Sequence, residues 1–325
     1  MPLRRLALRW DLTDRPGETK AHARPTPYLG GLAIALATVA PTAVVLGLAD
    51  RRITAILLAA TAMALLGLID DIGSLPMVTR LAVETAAASG VVLSGVHITL
   101  IGGWLDGAVT VMWIVVMTNS FNLLDNMDGT LGTVTTVTAT FLAGTAFVYG
   151  QPALGVLLSV LAYASLGFLV HNWPPARVFM GDCGSLFIGF VVTCSAVLLV
   201  TGRGPGTLVA GLLLPTFIAT VDTGVVLISR MRAGRSPLTG GTDHVSHRLH
   251  RAGFGTPMVA MTLGVITALA GALCLAVALG WAPPLAAAIV AGGTALLLIS
   301  LLQGVNIYSP TPRDKAPSRI PERLR

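Results

Sequence analysis

The few acidic residues of this sequence lie beside long apolar runs, and their positions suggest a chemistry. The chain has 15 Asp and Glu among 325 residues, of which 54% are hydrophobic. Seven aspartates lie near the ends of apolar runs, inside one or in the loop after one: Asp70, Asp71, Asp125, Asp128, Asp182, Asp222 and Asp243. Carboxylates that converge bind cations, and a site built from oxygen ligands favours Mg²⁺, with Mn²⁺ as the second choice. Because Mg²⁺ usually binds one or two carboxylates together with substrate phosphates, the pattern predicts phosphoryl chemistry on a nucleotide.

Two motifs place carboxylates at the ends of apolar runs. Asp70 and Asp71 cannot both ionise cheaply, so either a cation lies nearby or one of them has a raised pKa. Asp70 is therefore a candidate both for bridging a metal and for a general base, and Asp71 is a candidate catalytic residue and metal ligand. At the end of the fourth run, Asn122 and Asp125 lie three residues apart, which places them on one face of a helix. Asp128 and the glycine after it predict a turn. The asparagine could instead serve only as a polar contact between helices.

An aspartate flanked by glycines precedes the seventh apolar run. Gly181 and Gly184 stand on either side of Asp182, where a helix is predicted to begin. A helix N-terminus with nearby glycines lets phosphate oxygens approach backbone N–H groups. We interpret Asp182 as a metal ligand, although an aspartate at this position can also cap the helix.

A basic loop after the eighth run carries three histidines at three-residue spacing, His244, His247 and His250. Such spacing can bind zinc, but no cysteine accompanies these residues. The acidic ligands elsewhere are hard, so we favour phosphate or pyrophosphate contact by His244, His247 and Arg248. The other arginines of this loop add a positive field for an anionic donor.

Ten apolar runs must position these residues. A helix needs about 20 apolar residues to cross the hydrocarbon layer, whereas a barrel strand needs only about ten, so the length of the runs predicts helices. The runs cover residues 28–49, 53–69, 81–97, 108–124, 131–149, 153–171, 185–202, 207–229, 257–280 and 283–304. With only 11% charged residues, the composition excludes soluble dehydrogenases, secreted disulfide scaffolds, disordered chains and coiled coils. We predict an all-α polytopic membrane protein with about ten transmembrane helices. Glycine pairs at 30–31 and 292–293 predict close packing between these helices.

The basic residues predict the orientation of the helices. If residues 1–27 face the cytoplasm, strict alternation places Arg51, Arg52 and Arg203 outside and the other 18 of the 21 Lys and Arg inside. Both termini are then cytoplasmic, and the acid-rich helix ends form an active site on the cytoplasmic face. We divide the chain into a cytoplasmic segment 1–27, a transmembrane catalytic domain 28–304 and a basic cytoplasmic tail 305–325. The net charge of +6 is then a signal of topology, with attraction to membrane lipids as a second effect, and nucleic acid is not needed as a partner.

These motifs, taken in order, resemble those of the polyprenyl-phosphate N-acetylhexosamine-1-phosphate transferases, which are of the glycosyltransferase family 4 type. The resemblance covers residues 14–304 and includes a further motif with Asp14-Arg15-Pro16, Lys20-Ala21-His22 and residues 25–31. It implies transfer of an N-acetylhexosamine 1-phosphate from a UDP-sugar to a polyprenyl (undecaprenyl) phosphate, with UMP as the second product and Mg²⁺ as the cofactor. It also implies a multi-pass protein of the bacterial inner (plasma) membrane that initiates cell-envelope glycan synthesis, with a homodimer as an open alternative.

The resemblance also implies roles for individual residues. Asp70, the first member of the family's Asp pair, would deprotonate the lipid phosphate. Asp182 would bind the metal, and Asn172, ten residues earlier, would lie on the nucleotide side. The remaining matches are to the family's Asn/Asp motif, to its His-rich loop and to an aspartate before the basic region: Asn122, Asp125, Asp128, His244, His247 and Asp222.

Three features depart from the family's pattern. Asn126 and Thr130 stand where many relatives have Gly and Leu, and Ser246 stands where many have a second, adjacent histidine. Relatives generally have one more span before the first motif, so either the chain begins further upstream or this form lacks one helix. The sequence leaves open whether the lipid phosphate attacks directly or an Asp nucleophile forms a phospho-enzyme. An ion-coupled transporter and an inactive paralogue are the alternative functions.

Overall fold

The structure, a computed structural model, describes residues 13–14, 26–27, 29–100, 102–236, 241–305 and 307. Within these residues it contains twelve helices and one antiparallel pair of two-residue strands, β1 (Thr13–Asp14) and β2 (Thr26–Pro27). The helices are α1 (Gly30–Leu46), α2 (Arg51–Gly73), α3 (Met77–Leu93), α4 (Trp104–Leu124), α5 (Thr130–Val148), α6 (Pro152–Asn172), α7 (Gly181–Val200), α8 (Pro205–Leu213), α9 (Phe217–Arg232), α10 (Val245–Arg251), α11 (Thr256–Ala278) and α12 (Pro284–Gln303). Most of the predicted segments 1–27 and 305–325, and with them most of the first motif, lies outside the described residues.

The predicted all-α membrane architecture is confirmed for the described part of the chain. Seven of its helices are long and apolar enough to cross a membrane: α2, α4, α5, α6, α7, α11 and α12. An eighth span results if α8 and α9 together count as one. Helices α1 and α3 have 17 residues each, which is the lower limit for a spanning helix. The count of about ten spans therefore remains a prediction.

The predicted eighth run is not one continuous helix. Its two halves, α8 and α9, are bent by 72° across residues 214–216. Pro215 lies at the break, and proline removes a helical hydrogen bond and clashes with the preceding turn. The bend lets α9 pack on α4 and α12, while α8 packs on α7 and α12.

Helix α7 lies at the centre of the bundle and is buried along the whole of its apolar window. It packs against α2, α4, α1 and α8. The closest approach is at Gly31, where a Cβ atom would lie 2.1 Å from the backbone nitrogen of Gly184 in α7. The predicted close packing is thus confirmed for glycines 30–31. It is wrong for Gly292 and Gly293, because a Cβ at either would have no described atom within 4 Å.

The acidic helix ends and three of the arginines lie at opposite ends of the bundle. Helix α2 begins at Arg51 and ends just after Asp71, a length of about 30 Å at 1.5 Å per residue. At the Arg51 end, Arg51 Nη2 donates to the carbonyl oxygen of Leu93, 2.8 Å away, where α3 ends. Arg203, which follows α7, stacks over the ring of Tyr149 at 3.5 Å. The alternation of helix directions therefore collects Asp70, Asp71, Asp125 and Asp182 at the other end, whereas Asp50 and Asp106 lie at the Arg51 end.

Candidate active site

The N–H groups at the start of α7 are held by a carboxylate from another helix. Asp71, in the last turn of α2, accepts hydrogen bonds from the N–H of Asp182 at 2.8 Å and of Cys183 at 3.0 Å. These N–H groups have no partner within α7, and the positive end of a helix dipole favours a carboxylate. Gly181 has φ of +68°, and a Cβ here would lie 2.5 Å from an Asp71 oxygen. Asp71 therefore supplies the cap, and Asp182 lies in the first turn instead of capping its own helix.

The carboxylate of Asp182 joins α7 to two neighbouring helices. Its Oδ1 accepts from Asn122 Nδ2 of α4 at 2.9 Å, and its Oδ2 accepts from Arg80 Nη1 of α3 at 3.1 Å. Asn122 Nδ2 also donates to Ser185 Oγ, 2.8 Å away and one turn further along α7. The Asp182 side chain is 32% exposed, so a ligand can reach it.

Arg80 belongs to this site, although its sequence context predicted no individual role for it. Its Nη1 donates to Asp70 Oδ2 at 2.6 Å as well as to Asp182, so one guanidinium bridges two carboxylates. Asp70 Oδ1 accepts from the N–H of Leu75, which fixes the other oxygen. A signal was present in the sequence, because Arg80 is the only Lys or Arg between Arg52 and Arg177. A single basic residue nine positions after an Asp pair indicates an ion pair in a functional site more strongly than it indicates the orientation of a membrane helix.

Carboxylates crowd together around Asp125, the residue that follows α4. Burial, together with the negative charges of Asp182, Asp71 and Asp128, raises the pKa of Asp125 to about 7. Such crowding is unfavourable unless protons or cations compensate it, which agrees with the predicted cation-binding character of this end of the bundle.

We expect Asp125 of the metal-free protein to bind a proton with a midpoint near pH 7. Because a bound divalent cation would reduce the negative potential of the neighbouring carboxylates, adding Mg²⁺ should lower this midpoint. Infrared spectroscopy of the protonated carboxyl band measures the titration, with Asp125→Asn as the assignment control. The prediction is wrong if no band that titrates near neutral pH disappears in that variant.

Asp128 and Asn172 tie the turn between α4 and α5 to the loop before α7. Asp128 Oδ2 accepts from the N–H of Ala176 at 2.9 Å. Asn172 Oδ1 accepts from the N–H of Gly129 at 2.9 Å, and its Nδ2 donates to the carbonyl of Val178 at 3.1 Å. Asn172 is buried with both ends of its amide engaged, so in this structure it positions the loop.

The predicted histidine loop forms a second group of residues. Asp222 of α9 is buried, with its Oδ2 2.8 Å from His244 Nδ1 and its Oδ1 accepting from the N–H of Val245 at 2.7 Å. The carboxylate thereby fixes the orientation of the His244 ring. The ring centre of His247 lies 6.1 Å from that of His244. Burial and the nearby His244 lower the pKa of His247, so this imidazole is neutral at pH 7 and offers a hydrogen bond without a charge.

Two residues that depart from the family's pattern connect the histidine loop to the aspartates. Ser246 Oγ donates a hydrogen bond to Asn126 Oδ1. Asn126 Nδ2 in turn donates to the carbonyl of Leu123 at 2.7 Å, near the end of α4. Ser246 and Asn126 therefore contact each other, and this contact places the histidine loop beside the turn that contains Asp125 and Asp128.

Arg248 does not reach the aspartate cluster in this structure. It is 1% exposed, and its Nη1 donates to the carbonyl oxygens of Leu302 at 2.6 Å and Val305 at 2.8 Å. Its Nη2 donates to Ser229 Oγ at 2.8 Å. These contacts hold α10 against α9 and the end of α12, so the observed role of Arg248 is structural, in contrast to the predicted phosphate contact.

The carboxylates fit a divalent cation that substrate phosphates help to hold. Among the described residues, no three His, Cys, Asp or Glu side chains are grouped closely enough to hold a metal ion alone. Mg²⁺, however, usually takes one or two carboxylates and completes its shell with water and phosphate oxygens. Asp70 and Asp182 already share the cationic group of Arg80, so they suit such a partial set. Asp71 is less available, since both of its oxygens accept backbone N–H groups.

The described helices form an apolar bundle of the multi-pass membrane class, with a site of carboxylates and one arginine at one end. Residues 53–200, which include nearly all of α2 and the whole of α3 to α7, match the family described as glycosyl transferase family 4. The chain is 39% identical over 315 residues to a Streptomyces coelicolor protein named by class alone, as a glycosyltransferase, with 95% of this chain and 73% of that protein covered. It is 30% identical over 357 residues to the decaprenyl-phosphate N-acetylglucosaminephosphotransferase of Mycobacterium tuberculosis, with 95% and 87% covered.

A third relative, the decaprenyl-phosphate N-acetylglucosaminephosphotransferase of Mycolicibacterium smegmatis, is 32% identical over 293 residues, with 77% of this chain and 71% of that protein covered. The chain belongs to glycosyl transferase family 4. The resemblance found in the motifs is thereby confirmed, and a family of transferases favours an enzyme over an ion-coupled transporter.

Proposed function

We propose that this protein transfers an N-acetylhexosamine 1-phosphate from a UDP-sugar to a polyprenyl phosphate, with release of UMP. One observation carries the proposal: Asp182, whose carboxylate is partly exposed, lies between Arg80 of α3 and Asn122 of α4 at one end of a membrane bundle. The names of the mycobacterial relatives specify a decaprenyl-phosphate acceptor and an N-acetylglucosamine phosphate donor. Undecaprenyl phosphate is an acceptor of the same chemical class.

An apolar groove beside the site supports a lipid acceptor. It has a volume of about 710 Å³ and lies between α3 and α4. Its lining extends from Leu81 to Leu93 on α3 and from Val116 to Gly107 on α4, and is mostly aliphatic. Because Leu81 follows Arg80 in the chain, the groove begins next to the cation of the site. A polyprenyl chain in this groove would have its phosphate near Arg80 and Asp70.

The residues of the site would then divide the reaction among them. An oxygen of the lipid phosphate attacks the sugar-side phosphorus, a new P–O bond forms, and the bond from that phosphorus to the UMP oxygen breaks. Asp70 would accept a proton from the lipid phosphate once Arg80 has released it, and Arg80 would stabilise phosphate charge. Asp182, together with substrate phosphate oxygens, would hold Mg²⁺, which when bound neutralises charge on the diphosphate. Asp222 would keep His244 oriented toward the donor.

We further propose that the site faces the cytoplasm of a bacterium, at the plasma membrane. Arg51, Arg52 and Arg203 lie at the end of the bundle opposite to the aspartates, while 18 of the 21 Lys and Arg belong to the aspartate side by alternation of the predicted spans. UDP-sugars and UMP are cytoplasmic metabolites, which agrees with this orientation.

The experiment that tests the function uses purified protein, undecaprenyl phosphate, Mg²⁺ and a panel of UDP-sugars, with UMP as the readout. We expect UMP release with an N-acetylhexosamine donor that requires both the lipid and Mg²⁺. Absence of UMP with every donor would favour an inactive paralogue. Exchange of labelled UMP into the UDP-sugar without lipid would show that the enzyme itself is the first acceptor, whereas direct attack predicts no exchange.

Filling the groove should weaken use of the lipid selectively. Replacing Ala108, which lines the groove on α4, with Trp is expected to raise KM for undecaprenyl phosphate about tenfold, or ~1.4 kcal/mol, because the isoprenoid chain loses apolar contact. KM for the UDP-sugar should stay unchanged in the UMP release assay. Val290→Trp, on an exposed part of α12, is the matched control. Equal changes in both KM values would contradict the assignment of the groove.

A further inference from the structure

A buried glutamate next to the site has no function in the proposed reaction. Glu84 lies one helical turn beyond Arg80 on α3 and is 1% exposed. Its Oε2 accepts a hydrogen bond from Asn119 Nδ2 of α4. Its Oε1 is buried and has no hydrogen-bond partner among the described residues. A carboxylate in an apolar helix is costly, and one with an unsatisfied oxygen more so, which points to a partner that arrives in another state.

Arg80 is the cation that can reach this oxygen. Residues four apart on a helix are neighbours on one face, about 5–6 Å apart at Cβ. Side chains on a helix also lean toward its N-terminus, so the Glu84 carboxylate lies over the turn that contains Arg80. Glu84 is within electrostatic range of both Arg80 and Asp182. A rotamer change of the arginine side chain is therefore enough to bring its guanidinium to Glu84.

The carboxylates that Arg80 now holds are the same ones that suit a divalent cation. Arg80 Nη1 lies 2.6 Å from Asp70 Oδ2 and 3.1 Å from Asp182 Oδ2. A divalent ion at Asp182 and the guanidinium would repel each other at this distance, so the ion must displace Arg80 or bind more weakly. The Arg80 side chain is only 20% exposed in its observed position, so a guanidinium displaced from the carboxylates would remain near apolar helices, where an unpaired charge is costly.

We propose that Glu84 is the alternative ion-pair partner of Arg80. When a divalent cation binds at Asp70 and Asp182, the guanidinium of Arg80 leaves these two carboxylates and pairs with Glu84. This inference rests on the proposed function, because it takes the metal site from it. Glu84 then acts as a positioning residue: it contacts neither substrate nor cation, and it makes release of the two carboxylates easier. In the absence of cation, Arg80 stays paired with Asp70 and Asp182.

The test measures Mn²⁺ affinity of the purified full chain by electron paramagnetic resonance, without any substrate. We expect Glu84→Gln to weaken Mn²⁺ binding about tenfold, because the displaced guanidinium no longer has a carboxylate to pair with. Arg80→Gln should strengthen binding, since it removes the competitor. In the Arg80→Gln background, Glu84→Gln should change the affinity by less than about twofold.

Two variants serve as controls for this double-mutant cycle of Glu84 and Arg80. Asp106→Asn removes an equally buried carboxylate at the far end of α4, where Asp106 accepts from the N–H groups of Leu100 and Gly102, and it should leave Mn²⁺ affinity unchanged. Glu84→Asp keeps the charge with a shorter reach and should give an intermediate affinity, so the proposal stays testable if the Gln variant folds poorly.

The outcomes separate this proposal from the proposed function. If Glu84→Gln weakens Mn²⁺ binding equally with and without Arg80, the glutamate acts only through its field and the proposal is overturned. No change in either background overturns it as well, since Glu84 then merely bonds Asn119. Neither result affects UMP release by the unmodified protein. Failure of the unmodified protein to bind Mn²⁺ without substrate overturns the exchange of partners, whereas the Mg²⁺ requirement of UMP release tests the metal of the proposed function separately.

Discussion

Replacement of Asp182 by Asn is expected to lower the rate of UMP release by at least about a thousandfold. The substitution removes the negative charge from a carboxylate of α7 that accepts hydrogen bonds from Arg80 of α3 and Asn122 of α4. The Asn carbonyl still accepts one hydrogen bond, so Asn122 or Arg80 keeps a partner and the bundle should fold. The loss should therefore lie in kcat and in the Mg²⁺ requirement rather than in the amount of folded protein.

The measurement is UMP release at saturating UDP-sugar and lipid phosphate across a range of Mg²⁺ concentrations. Asp106→Asn is the matched control, because it makes the same chemical change at a buried aspartate at the opposite end of α4. Its activity should stay within about twofold of the unmodified protein, as expected for a distant and independent site. Unchanged turnover in the Asp182 variant would mean that the catalytic centre lies elsewhere.

Replacement of Gly31 by Ala should impair both stability and activity. A Cβ at Gly31 would lie 2.1 Å from the nitrogen of Gly184 and 2.5 Å from the carbonyl oxygen of Met180. Both are backbone atoms at the start of α7, so no side-chain rotation relieves the clash and the helices must separate. We expect a loss of about 1–3 kcal/mol in the free energy of unfolding, as is typical of overpacking.

The same displacement moves the start of α7, which carries Asp182. A shift of about 1 Å in a reacting group can cost up to about a hundredfold in rate, so kcat for UMP release should fall well beyond the loss of folded protein. Gly292→Ala in α12 is the control: no atom of the described residues would lie within 4 Å of the added Cβ, and Ala favours a helix over Gly by up to about 1 kcal/mol. Thermal unfolding in detergent and UMP assays on both variants make the comparison. Equal behaviour of the two would show that α1 and α7 are not in tight contact.

Several features of the site could be predicted because they depend on local sequence. Asp70, Asp71, Asn122 and Asp182 lie at the ends of long apolar runs, and a run that must cross about 30 Å of hydrocarbon fixes which ends share a side. The turn at Asp128 and its following glycine was likewise predicted from turn chemistry and is present, with Gly129 at φ of +76°.

Other features depend on which helices pack together. Asp71 caps a helix that begins 110 residues later in the chain, at Gly181, and Arg80 pairs with Asp182 at a separation of 102 residues. Arg248 illustrates the opposite case: a basic residue in a polar loop suggested phosphate binding, yet packing of α10 against α12 buries it on carbonyl groups. Hydropathy and charge spacing contain no information about these partners.

The break between α8 and α9 shows why the tertiary structure had to decide. Pro215 lies in the run that breaks, but Pro41 lies within α1, which continues as one helix. A proline costs a helix roughly 3 kcal/mol, and whether the helix bends is decided by the contacts that the bend gains. The sequence by itself determined a helical membrane bundle with its acids at one end, because burial of apolar length and exclusion of charge are properties of each segment alone. The tertiary structure decided which aspartate caps α7, which arginine lies between the carboxylates and which glycines touch, because these are properties of pairs of segments that only packing brings together.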